Sequence, residues 1–206
     1  VFGRAVPSAP LGSWTLWSRE LILASARCSS PFVHGEARFV EDKTGPPNRA
    51  YLKLWEIFTR IGRRPGPGDL CLDLGSSPGG WTYVLAGLGA RVFSVDKAPL
   101  VPGVAKHSHV EHCIGSAFGF DPRMAGNITW VFSDVACYPD KLYTMVKMWL
   151  DANVAANLVC TIKFAGKTDF ASLDLFLQVH GSAAMHLFAN KHELTWIRLV
   201  NQENLL

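Results

Sequence analysis

The sequence predicts an α/β fold: a mostly parallel, doubly wound sheet that ends in an antiparallel hairpin. Three observations carry this. From residue 48 onward, short aliphatic and β-branched runs alternate with amphipathic segments of helix length, the pattern of strands joined by crossover helices. A glycine-rich turn, Gly75-Ser76-Ser77-Pro78-Gly79-Gly80, stands at the first strand-to-helix junction. The last two strand-like runs lie too close together for a crossover helix between them, so they must pair antiparallel.

Arg49 to Ile61 places Leu54, Ile57, Phe58 and Ile61 on one helical stripe, and the RPGPG run that follows resets the chain. Strands are then predicted over residues 69–74, 91–96, 110–114, 128–134, 157–164, 183–189 and 193–200, with helices over 80–88, 141–154 and 170–180. The closing hairpin turns at Asn190-Lys191-His192. A Gly/Pro break near residue 47 divides the chain into an N-terminal extension, 1–47, and a catalytic domain, 48–206. The extension is rich in aromatic and turn residues, with strands expected near 14–17 and 37–41 and too little apolar material for a core of its own. It reads as the remnant of an upstream RNA-binding domain, and the chain as a piece of a longer protein.

Composition excludes several classes. Of 206 residues, 49% are hydrophobic and 18% charged, which rules out a disordered or collagen-like chain. The five cysteines are odd in number and widely spaced, with no C-x-x-C pair, so neither a disulfide framework nor a zinc ribbon fits. Free thiols suit a reducing cytoplasm. No apolar run reaches the ~18 residues of a membrane span. The His107/His109/His112 run looks metal-like, but strand alternation sends its members to opposite faces, and no metal is expected.

The glycine turn is neither G-x-G-x-x-G nor a Walker loop, because its spacing is G-x-x-x-G-G with Pro78 inside it and no Gly-Lys-Ser/Thr follows. Asp73, still on the strand, is placed to bond a ligand's amine rather than a phosphate. Asp96 ends the next strand, 21 residues after Gly75, a distance at which a carboxylate commonly accepts hydrogen bonds from ribose hydroxyls. Taken singly, Asp73 reads as a helix-cap partner and Asp96 as a turn residue. Together with the loop they point to a nucleoside-containing cofactor.

The run DLGSSPGGWT (Asp73 to Thr82) resembles the cofactor loop of the FtsJ-like RNA ribose 2′-O-methyltransferases, and the likeness covers about three quarters of the chain. It implies a Rossmann-like S-adenosylmethionine methyltransferase fold. It assigns cofactor contacts to Asp73, Gly75, Ser76, Pro78, Gly79, Gly80, Trp81, Asp96 and Asp134. Ser116 stands where the family often carries an adenine-bonding Asp. The family's Lys-Asp-Lys-Glu tetrad matches Lys53 in Arg49-Ala50-Tyr51-Leu52-Lys53-Leu54, Asp134 in Ser133-Asp134-Val135-Ala136, Lys163 in Thr161-Ile162-Lys163-Phe164, and Glu193 in His192-Glu193-Leu194.

A ribose hydroxyl is a poor nucleophile and needs a base as it attacks the sulfonium methyl. A free lysine, with a pKa near ~10.4, serves only when burial or a neighbouring cation favours its neutral form. The resemblance makes Lys163 that base and Lys53 its electrostatic partner, with Asp134 and Glu193 orienting both. Pro46 to Arg64 carries five basic residues against Glu56, a net +4 inside a chain of net +3. Arg49, Arg60, Arg63, Arg64 and, further on, Lys167 are the expected phosphate contacts. The nearest group within the family modifies a 23S rRNA cytidine, so rRNA is the expected partner. Methylation of tRNA or of another rRNA site, or a silent cofactor-binding RNA-binding or assembly factor, remains the other reading.

Overall fold

The computed structural model describes residues 12–201 apart from 29, 31, 125 and 155. The outer ends of the two expected regions, 1–11 and 202–206, lie outside the described residues. A small antiparallel pair comes first, β1 (Ser13–Leu16) and β2 (Ile22–Ser25). The expected strand over 37–41 is instead irregular. Its alternation serves a different end, because the segment lies on a helix rather than beside a strand. Ala37 is buried, and Phe39 packs edge-to-face on Trp55 with ring centroids 5.7 Å apart. The Asp42 N–H donates to the Tyr51 hydroxyl at 2.9 Å, which pins the same segment further along.

The helix it lies on is α1 (Tyr51–Ile61), whose stripe of Tyr51, Leu54, Ile57 and Phe58 is buried. The alternating part then runs β3 (Leu70–Leu74), α2 (Gly80–Gly87), β4 (Arg91–Asp96), a one-turn α3 (Pro102–Ala105) and β5 (Val110–Ile114). It continues with β6 (Trp130–Ser133), α4 (Pro139–Asp151), β7 (Asn157–Lys163), α5 (Phe170–Leu177), β8 (Ser182–Met185) and β9 (Glu193–Arg198). These nine strands form the small β1–β2 ribbon and one seven-stranded sheet in the order β5-β4-β3-β6-β7-β9-β8. The first five strands of that sheet are parallel. β9 runs antiparallel to both of its neighbours.

The doubly wound α/β class expected from the sequence is therefore the class observed. Two features differ in detail. The closing pair is joined by residues 186–192 rather than a three-residue turn, and the expected strand over 183–189 is shorter, Ser182–Met185; β9 lies between β7 and β8.

Alternation along the strands builds two cores. Cys71, Phe132, Val159 and Ile197 meet α1 and α2 on one face, whereas Leu72, Val131, Leu158 and Trp196 meet α4 and α5 on the other. Under α1 and α2 lies an aromatic layer in which Phe132 contacts Phe58, Trp81 and Trp130 at 5.6–6.1 Å. Each such pair adds about 0.5–1.5 kcal/mol beyond its buried area. The strand order reverses at β3, with β4 on one side and β6 on the other. A crevice opens at the carboxyl ends of strands where such a reversal occurs.

Candidate active site

That crevice is a cavity of about 480 Å³, lined by Asp73 and Gly75 from the end of β3, Asp96 from β4, Ser116 and Phe118 from beyond β5, Asp134 from beyond β6 and Lys163 from β7. The turn after β3 can form because Gly75 has φ +79° and Gly79 φ +117°, conformations that a side chain resists. A Cβ on Gly75 would lie 2.7 Å from the Val135 Cα, so only glycine lets β3 and the segment after β6 approach this closely. Of the expected cofactor contacts, Asp73, Gly75, Ser76, Gly80, Trp81, Asp96, Ser116 and Asp134 line the cavity. Pro78 and Gly79 do not, and Gly79 packs towards Val104 and Leu100.

Asp73 is fully enclosed. Its Oδ2 accepts the Thr82 hydroxyl at 2.6 Å, and its Oδ1 has no hydrogen-bond partner. Burial pushes its carboxyl up to about 7, with the Asp134 and Asp96 charges adding to the rise and the Thr82 hydroxyl opposing it. A raised folded-state value favours the protonated fold. The contribution is fully present below the ordinary value of 3.8 and is lost as pH rises through about 7. Asp73→Asn should therefore flatten the fall in thermal stability between pH 5 and pH 8. An unchanged slope in a pH series of melting curves would refute that origin.

The Asp96 oxygens accept the backbone N–H groups of Ser77 at 3.0 Å and Ala98 at 2.9 Å. Each oxygen keeps a second lone pair for a ligand hydroxyl. The Ser116 hydroxyl accepts from the Phe118 N–H at 3.3 Å. Lys141 and Phe118 form a pair that the sequence did not suggest, with the ammonium 4.2 Å from the ring centroid at the cavity wall. Asn48, the residue before the Arg49 to Leu54 motif, also lines this wall, as it does that of the neighbouring cleft.

Lys53, Asp134, Lys163 and Glu193 come together in one cluster. Asp134 stands at its centre: the Lys53 ammonium donates to both carboxylate oxygens at 3.1 and 3.2 Å, and Lys163 lies 3.0 Å from Oδ1. Lys163 also donates to the Asp134 carbonyl at 2.5 Å, and Lys53 pairs with Glu193 Oε1 at 2.6 Å. Sheet register explains the meeting. Glu193, first residue of β9, is the direct cross-strand partner of Lys163, last residue of β7. Lys53 comes from the first turn of α1 and is 7% exposed, so burial holds it in place as firmly as its partners do.

The basic residues divide. Arg49 is exposed and pairs with Glu41 at 2.7 Å, and Lys167 lies exposed in the loop beyond β7. Arg60 is held by Glu56 through two bonds of 2.8 and 2.6 Å, and its guanidinium lies over the Phe32 ring. Arg63 donates to the Val200 carbonyl and lies over Trp130, the first residue of β6, at the end of the strand opposite the cavity. Arg64 follows it, past the end of α1. Among the described residues no group of three or more His, Cys, Asp and Glu could hold a metal, and His112 Nδ1 is 2.9 Å from the Ser94 hydroxyl. No helix among them is long and apolar enough to cross a membrane.

A sheet of this order, with a glycine turn and a strand-end carboxylate at its point of reversal, defines a methyltransferase built around a nucleoside cofactor. The chain belongs to the FtsJ-like methyltransferase family, whose profile matches residues 46–178. It is 36% identical over 120 residues to the ribosomal RNA large subunit methyltransferase M of Halorhodospira halophila, covering 57% of this chain and 35% of that protein. With the protein of the same name from Marinobacter nauticus it shares 29% over 190 residues, or 84% of this chain and 52% of that one. The chain thus spans about half the length, or less, of the curated relatives it matches.

Among solved structures, Aeropyrum pernix fibrillarin with natively bound S-adenosyl-L-methionine superposes with a TM-score of 0.55 at 16% identity, covering 70% of this chain and 74% of that one. Methanococcus jannaschii fibrillarin gives 0.53 at 18%, covering 73% and 75%. These likenesses carry the fold.

S-Adenosyl-L-methionine, the methyl donor of this class, fits the residues present. Gly75 offers the cavity bare backbone, Asp96 has lone pairs for ribose hydroxyls, and Asp73 Oδ1 is an unpartnered acceptor. The chemistry it supplies when bound is an electrophilic sulfonium methyl group.

Proposed function

We propose that this chain is the catalytic part of an RNA methyltransferase that modifies a ribose 2′-hydroxyl, with large-subunit rRNA as its substrate. The observation that carries the reading is the position of the tetrad between two cavities. Asp134 and Lys163 line the cofactor crevice. Lys53 and Glu193 line a second cleft of about 900 Å³ on its other side, which also holds Arg49 and Phe188. Asn48 and Ala50 border both. A hydroxyl entering from the second cleft meets the cluster before it meets the cofactor. Residues 48–206 are the catalytic part in this reading, and 1–47 an adaptor whose described residues meet α1 through Phe32, Phe39 and Asp42.

In the reaction a C–O bond forms as the sulfur–methyl bond breaks. Lys163 is the base that takes the hydroxyl proton, and its side chain is 28% exposed, so the proton has a route to water. Lys53 stays between its two carboxylates and supplies positive charge to the developing alkoxide. Alignment of hydroxyl and methyl provides most of the acceleration. Arg49 and Lys167 are the phosphate contacts this surface offers. Arg60, less exposed and bonded twice to the buried Glu56, and Arg63, at the opposite ends of the strands, form no part of it.

The test is to incubate the protein with tritiated S-adenosylmethionine and an unmodified large-subunit rRNA transcript. The expected product carries label in a dinucleotide that resists alkaline hydrolysis, because a methylated 2′-oxygen cannot attack the adjacent phosphate. Label on a base would overturn the ribose assignment, and no label in RNA would favour the silent-binder reading.

A further inference from the structure

The second cleft holds one side chain whose placement the reaction does not explain. Phe188 lies on the 186–192 connection, lines the cleft, and is 53% exposed although the residues around it are anchored. Leu187 is fully buried in the core. Asn190 is 8% exposed, and its amide donates to the Glu193 carbonyl at 3.2 Å and to the Thr195 hydroxyl at 3.3 Å. Between these anchors the Phe188 N–H donates to Glu56 Oε2 at 2.7 Å. Glu56 is 1% exposed, and its other oxygen takes both Arg60 bonds. A buried, charge-assisted bond therefore fixes the backbone of a phenylalanine whose ring makes no ring–ring pair among the described residues. The same connection leads directly into Glu193, so the ring and the tetrad share one rigid frame.

We propose that Phe188 is the stacking platform for the base of the acceptor nucleotide, and that Glu56 is a positioning residue that holds it there. The proposal rests on the RNA-methylation reading and gives it a substrate form, an unpaired nucleotide. A 2′-hydroxyl reaches the tetrad through this cleft only if its nucleotide leaves the neighbouring stack, and an aromatic face replaces the stacking it loses. A ring recognises any base by its π-face, so Phe188 selects single-stranded RNA over duplex without reading sequence. Arg60 completes the support. It neutralises Glu56 and lies over Phe32, which ties the platform to the segment that precedes α1.

The experiment measures two quantities for the full chain: kcat/KM with the rRNA transcript, and the anisotropy of a fluorescent single-stranded 12-mer oligoribonucleotide and of its duplex. Phe188→Ala should weaken single-strand binding and lower kcat/KM by roughly ten-fold or more. Calorimetric affinity for S-adenosylmethionine should stay within about two-fold. Phe188→Trp should restore most of the loss and Phe188→Leu little of it. Glu56→Gln, which keeps an acceptor for the Phe188 N–H, should sit between wild type and Glu56→Ala. The Phe188→Ala/Glu56→Ala pair should bind RNA no worse than Phe188→Ala alone.

Wild-type single-strand binding in Phe188→Ala would overturn the proposal, as would equal recovery by leucine and tryptophan. If the wild-type protein transfers no methyl group but Phe188→Ala still loses single-strand binding, the platform stands and the methylation reading falls.

Discussion

Lys163→Ala is expected to slow methyl transfer by roughly 10²- to 10⁴-fold, the range that a positioned general base contributes. The fold should survive the change. Lys163 is the outer member of the cluster, and Asp134 keeps its bonds to Lys53 at 3.1 and 3.2 Å when Lys163 is gone. The sharper test is Lys163→Arg. Arginine preserves the positive charge and can reach the Asp134 carboxylate, but it cannot be deprotonated near neutral pH and so cannot accept the hydroxyl proton. If Lys163 serves as base, the arginine variant should be nearly as slow as the alanine variant. If it serves only as a fixed charge, arginine should retain much of the activity. Lys53→Arg is the complementary case, because the role assigned to Lys53 is electrostatic and a cation should preserve part of it. Single-turnover rates with saturating cofactor separate these outcomes, and calorimetry shows whether cofactor binding has changed.

Gly75→Ala is expected to cost about 2–4 kcal/mol of stability and to weaken cofactor binding more than ten-fold. Two penalties combine at this position. An L residue at φ +79° is strained, at about 1–2 kcal/mol. The added methyl would also lie 2.7 Å from the Val135 Cα, which is backbone and cannot rotate aside. Relief requires movement either of the β3 turn, which lines the cofactor cavity, or of the segment carrying Asp134. The damage should therefore reach the tetrad as well. Gly103→Ala provides the contrast. Gly103 lies in α3 with open space around its Cβ position and an ordinary φ, so alanine there should be neutral or slightly stabilising. Equal effects of the two substitutions on melting temperature and cofactor affinity would refute the close-approach argument.

The chemistry-bearing residues were legible where they sit at the ends of elements, because position along a strand survives even when boundaries shift. Asp96 closes β4 at the expected end of the strand over 91–96, and Lys163 closes β7 one residue before the expected end at 164. Asp134 and Glu193 could be placed in the same way. The sequence could not say which strand β9 would choose as neighbour, since antiparallel pairing between distant segments leaves no local signal. That choice sets Glu193 opposite Lys163. The setting of Arg60 was hidden for a related reason. Its charge is local and visible, but its partner Glu56 is anchored by a backbone N–H from residue 188, a contact 132 positions away. Phe39 looked like a strand residue because period-two alternation suits an extended segment lying on a helix as well as one hydrogen-bonded in a ladder.

The insertion of β9 between β7 and β8 has a consequence for how the protein comes into being. Synthesis is vectorial, and domains tend to fold as their segments emerge. β3 to β7 are translated before β8 and β9, so the nascent sheet first presents β7 as an open edge, with Val159, Cys160 and Ile162 awaiting a partner. Such an edge invites pairing with another chain. Until residue 193 arrives, Lys53 also lacks one of its two carboxylates, and the 186–192 connection has no second anchor. The four-residue cluster is thus complete only after β9 has been made. A nascent chain held short of β9 can possess a formed cofactor crevice and still lack the carboxylate that Glu193 sets beside Lys53.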